Sequence, residues 1–62
     1  MTEIDCFKSS TGNLIILRTD GTQWQVANLA ADGETVWTEI SVSGNHPFTE
    51  EEARAEFERW QT

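Results

Sequence analysis

Two Asp-Gly pairs, Asp20-Gly21 and Asp32-Gly33, each lie between runs of aliphatic, β-branched and aromatic residues. This is the strongest short-range hairpin signal a sequence can carry. It commits the first two thirds of the chain to antiparallel strands joined by tight turns. The runs at 14–18, 23–29 and 35–42 supply side chains that suit a pleated surface. A further run, 4–8, stands beyond the turn-rich stretch 9–13 and is placed to add an edge strand.

The turns also predict which side chains share a face, because side chains alternate along a strand and the register is set by the loop. If Asp20-Gly21 is a two-residue loop, Leu17 pairs with Trp24 and Ile15 with Val26. A two-residue loop at Asp32-Gly33 would bury Glu39 against the core, which is costly for a carboxylate. A three-residue loop, Ala31-Asp32-Gly33, with Gly33 left-handed in a bulge turn, instead pairs Trp24 with Ile40 and Val26 with Thr38. Ile15, Leu17, Trp24, Val26, Val36, Ile40 and Val42 then form one continuous inner face.

After the third strand run, 43–47 interrupts the chain with Gly44 and Pro47, and a helix opens at Thr49. Thr49 and Glu52 have the spacing of a capping box, Phe48 and Ala53 that of a hydrophobic staple, and Glu50, Glu51 and Glu52 meet the positive end of the helix dipole. Ala53, Phe57 and Trp60 recur at helical spacing, and Glu50 to Arg54 supports the exposed side. The expected fold is α+β: an antiparallel meander of three to four strands, with one C-terminal helix packed on one sheet face. Residues 1–62 are expected to form a single small domain. Trp24 and Trp60 should be buried together in its core while Trp37 stays exposed.

One helix cannot cover both faces of a sheet. The outer face then holds Leu14, Ile16, Ala27, Leu29 and Trp37, interleaved with Arg18, Gln23, Gln25 and Glu39. The expected register sets Trp37 beside Ala27 and Ala27 beside Leu14. Apolar patches rimmed by polar groups mark association surfaces. The competing expectation is that Phe7 or Ile4 folds over this face, or that Trp37 is an isolated surface aromatic.

Composition narrows the function classes. With 62 residues, four basic and eleven acidic, the net charge of -7 has the wrong sign for direct binding of nucleic acid or an anionic membrane. One Cys cannot make an internal disulfide, and the longest apolar run, 14–17, is too short for a signal or membrane segment. A cytoplasmic protein is expected. Cys6 and His46 are too few to ligate zinc or copper, and no nucleophile motif accompanies them. Asp20 and Asp32 suit turns better than acid–base chemistry, because Asp before Gly braces its own backbone. No phosphate loop or calcium loop is present. No cofactor, metal site or catalytic residue is therefore expected.

In order of elements the chain resembles the arm-binding domains of tyrosine recombinases, but a sheet offering only Lys8 and Arg18 lacks their basic face. The segments 20–24 and 33–37 resemble two Trp-containing stretches of the MbtH-like helpers of peptide synthetases. That family's Ser-Leu-Trp-Pro and Pro-x-Gly-Trp signatures are missing here, so neither family is assigned. The function expected from the residues is a small acidic, non-enzymatic interaction module. It would bind a protein partner or itself through Leu14, Ile16, Ala27, Leu29 and Trp37. The alternative is an acidic decoy whose Glu-rich helix occupies the nucleic-acid site of another protein.

Overall fold

The structure, a computed structural model, describes residues 1–61. Strands β1 (Thr2–Lys8), β2 (Leu14–Thr19), β3 (Trp24–Leu29) and β4 (Val36–Ile40) form an antiparallel sheet in chain order. A short pair, β5 (Val42–Ser43) with β6 (His46–Pro47), follows, and helix α1 (Glu50–Arg59) packs against β2 and β3. The protein is thus α+β, a four-stranded meander with a C-terminal helix on one face. The first run is a paired edge strand, with Phe7 opposite Ile15.

The Asp-Gly turns form where expected but are longer than two or three residues, because each aspartate collects the amides that follow it. Asp20 Oδ1 accepts from the amides of Thr22 at 2.8 Å and Gln23 at 2.6 Å. Both residues are thereby drawn into the loop, which the Asp20 amide closes on the Gln23 carbonyl at 3.2 Å. The Thr19 hydroxyl donates to that same carbonyl at 2.6 Å and accepts from the Gly21 amide at 3.1 Å, so a threonine can be buried at the strand end. Asp32 Oδ1 likewise accepts from Glu34 and Thr35, at 2.8 and 2.9 Å, while Gly33 takes the expected left-handed conformation at φ +75°. These amide donors hold both carboxyls below the usual aspartate range, those of Gln23 and then Thr22 for Asp20, and those of Thr35 and then Glu34 for Asp32.

Longer loops correct the expected register. Leu17 stands opposite Val26 rather than Trp24, and Val26 opposite Ile40 rather than Thr38. Each ladder has slid by two residues, so every partner changes but every face is kept until Val36. There a bulge between Asn28 and Leu29 sets Val36 opposite Leu29, on the outer side. Val36 and Val42, expected inside, are 46% and 53% exposed.

The inner core comprises Ile15, Leu17 and Val26 from the sheet with Phe48, Ala53 and Phe57 from the helix and its approach. Phe7 meets the Phe57 ring edge-on, with centroids 5.5 Å apart and planes at 78°. The helix starts as expected. The Thr49 hydroxyl accepts from the Glu52 amide at 3.2 Å, and Glu52 Oε1 accepts from the Thr49 amide at 3.0 Å. Phe48 and Ala53 are both buried beneath this cap. Trp24 and Trp60 flank the core half-buried rather than filling it. Trp24 lies 5.7 Å under the Arg54 guanidinium, and Trp60 Nε1 donates to Glu56 Oε1 at 2.9 Å. Each ring keeps a polar partner at the rim, which full burial would have removed.

Candidate interaction surface

Three cross-strand rows build the face opposite the helix. Arg18 stands beside Gln25; Ile16 and Ala27 lie in line with Cys6 and Glu39; Leu14 and Leu29 lie in line with Lys8 and Val36. Ile16, Ala27 and Leu29 form a second small core, with Leu14 packed half-buried against it. Four of the five expected contact residues are thus brought together. The expected open patch is nonetheless corrected, because Ile16, Ala27 and Leu29 are buried within the single chain, Ala27 fully. Ala27 is the smallest side chain on the face and occupies a central strand, where longer neighbours overtop it. Neither Phe7 nor Ile4 provides the cover. Phe7 turns inward to Phe57, and Ile4 sits at a bulge of β1, 42% exposed.

A polar strap crosses the same face. Arg18 on β2 donates to Gln25 on β3 and reaches Glu39 on β4, so the guanidinium bridges three strands. Its effect is electrostatic as well as steric: Glu39, the only ionisable residue of β4, is neutralised where it stands. Sequence reasoning named these three residues, with Gln23, only as a polar border; Gln23 lies instead in the Asp20 turn. Their common face and the i, j±2 reach of a long side chain were the available signals for the pairing.

Trp37 is set apart from the other four. Ala27 faces Glu39, and Trp37 occupies the bulge opposite Leu29 together with Val36. It is 63% exposed, as expected for a residue outside the core. With Val36 it forms the apolar end of this face, on a strand that among the described residues pairs on one side only. Val36 was missed as a surface residue because alternation alone assigns it inward; only the bulge turns it out.

The remaining polar groups serve the fold. Glu50 pairs with Arg54 at 2.9 Å, Glu52 completes the cap, and Glu56 is held by Arg59 and Trp60. The Thr49 amide keeps the Glu52 carboxyl below its usual range, and the Arg59 hydrogen bond does so for Glu56. Slight desolvation and the nearby Glu3 push the Cys6 thiol up, which favours the unreactive neutral form. His46 places Nδ1 2.9 Å from the Pro47 carbonyl and Nε2 3.6 Å from Glu52, at the helix entrance. Among the described residues, no three His, Cys, Asp or Glu side chains converge, and no helix is long and apolar enough to cross a membrane. Two open grooves flank α1. The larger, about 300 Å³, is lined by Asp5, Leu17, Arg54, Phe57, Glu58 and Gln61.

Comparison with models of known protein families, with curated proteins and with solved structures finds no match.

Proposed function

We propose that the protein is a small, acidic, cytoplasmic interaction module without catalytic activity, which binds a protein partner or a second copy through the outer sheet face at its Trp37 end. The observation that carries this is the exposure of Trp37 beside Val36, next to a Glu39 whose charge Arg18 already cancels. A large aromatic side chain surrounded by neutralised polar groups is the composition of an interface centre. Leu14, Ile16, Ala27 and Leu29 serve this surface mainly as its foundation, since little of Ile16, Ala27 or Leu29 is open to contact. The open form of the α1 grooves suits contact with a surface better than enclosure of a small molecule.

The decoy reading has weaker support. Glu50, Glu52 and Glu56 are each engaged within the helix or its cap, which leaves Glu51 and Glu58 as the principal outward acids of α1.

The test compares the parent, Trp37→Glu, and Glu51→Gln with Glu58→Gln, measuring self-association by sedimentation and retention of host proteins at low and high salt. Association that survives high salt and is lost in Trp37→Glu is expected. Association that ignores Trp37→Glu but vanishes with salt or with the two Glu→Gln changes would refute the proposal and favour the decoy.

A further inference from the structure

The two edges of the sheet are unequal. The β1 edge carries Glu3, Asp5 and Lys8, together with a bulge between Glu3 and Asp5. Charges and bulges are the usual devices that keep an edge from pairing with another chain. The β4 edge has neither Lys nor Pro, and its single charge, Glu39, is tied back to Arg18. Its bulge lies at one end, by Val36, leaving the ladder from Thr38 to Ile40 regular. Among the described residues no strand pairs with the outer side of β4, so alternate amides and carbonyls there are open.

We infer that β4 is completed by β4 of a second copy, as an antiparallel pair centred on Thr38. This rests on the interaction reading above and specifies its occupant. The sequence of the strand favours self-pairing. A twofold axis perpendicular to the sheet must pass through a residue, since opposite residues share a face. With the axis at Thr38, the segment from Trp37 to Glu39 maps onto itself, and the bulge at Val36 lies beyond the pairing. Thr38 then faces the second copy's Thr38, and Trp37 faces its Glu39 on the outer side, beside the neutralising Arg18. Thr–Thr and aromatic pairs of this kind are favourable, whereas an axis one residue later would oppose the two Glu39 directly.

The acid-rich helix packs on β2 and β3 rather than β4, so most of the charge of each copy lies away from the join. Screening within about 8 Å at physiological salt weakens the remainder. The product is one continuous eight-stranded sheet with both helices on the same side, an isologous and closed assembly.

Disulfide trapping tests the register. In a Cys6→Ser background, Thr38→Cys should cross-link to a dimer under mild oxidation, because residues opposite on a twofold place their Cβ atoms about 4.5–5.5 Å apart. Val36→Cys alone should not, since four residues of strand separate it from its mate by roughly 13 Å. Val36→Cys with Ile40→Cys in one chain should not either, because the bulge sets these two positions on opposite faces. Amide exchange supplies a readout without substitutions: alternate β4 amides should slow about tenfold or more as protein concentration rises through dimerisation. A chain that stays monomeric to millimolar concentration overturns the inference. So does a dimer whose β4 amides remain unprotected and in which Thr38→Cys fails to cross-link. If that dimer is still lost on Trp37→Glu, the face survives as the contact and only the edge pairing fails.

Discussion

The Phe7–Phe57 contact ties the edge strand β1 to the helix, and a double-mutant cycle on these two rings tests whether β1 is docked as described. A chain of this length has a stability of about 3–9 kcal/mol on the usual per-residue scale. Phe57 is 4% exposed within the inner core, so Phe57→Ala would cost about 3–5 kcal/mol and leave too little folded protein to measure. Leucine keeps most of the volume, and each single Phe→Leu change should cost no more than about 1.5 kcal/mol. The rings meet edge-on at 5.5 Å, a geometry that contributes about 0.5–1.5 kcal/mol beyond simple burial. The double variant should therefore be less destabilised than the sum of the singles by about that amount.

Urea unfolding followed by tryptophan fluorescence reads this directly. With a slope of about 1 kcal/mol per molar, the non-additivity appears as a midpoint discrepancy of about 0.5–1.5 M. Ile4→Ala on the same strand, at an exposed bulge, should change little. Additivity within about 0.3 kcal/mol for Phe7 and Phe57 would mean that the rings do not touch and that β1 is not held against the helix.

Thr49→Ala removes the hydroxyl that accepts from the Glu52 amide and should cost about 1 kcal/mol, lowering the melting temperature by about 4–8 °C in a thermal scan. Gly33→Ala meets no neighbouring atom but forces a side chain into φ +75°; calorimetry should show a loss of about 1–2 kcal/mol, with Gly33→Asn milder. Because the folded carboxyls of Asp20, Asp32, Glu52 and Glu56 titrate below their usual values, their contribution to stability is present above the unfolded-state values and is lost as pH falls through the folded ones. Denaturation midpoints should accordingly decline on the acid side of the ordinary carboxylate range, and Asp20→Asn with Asp32→Asn should flatten that decline. Trp37→Glu should alter stability by less than about 0.5 kcal/mol in the monomer, since the ring is mostly in solvent.

The sequence by itself determined the four strands of the main sheet, the helix and, for most of the chain, their faces; it missed the β5–β6 pair, because the strand expected over 35–42 ends at Ile40. Thr49, Glu52, Phe48 and Ala53 specify the helix start through contacts within five residues, and such local signals need no knowledge of the rest of the fold. The Asp-Gly pairs likewise located both turns. Loop length was not legible, because it depends on how many following amides each aspartate captures. The ladders could slide by two without penalty to the hydrophobic pattern, which repeats with the same period.

What only the tertiary structure decided is where alternation breaks and which exposed-looking residues are sheltered. The bulge opposite Leu29 turns Val36 outward beside Trp37 and shifts Trp37 away from Ala27. The reach of Arg18 across β3 to Glu39 pairs the one charge of β4 with a cation. Ile16, Ala27 and Leu29 read as an open patch in one dimension and are buried in three, since accessible area depends on neighbours brought in from other strands. Periodicity records the direction of a side chain from its own backbone; it carries no record of how closely the next strand's side chains close over it.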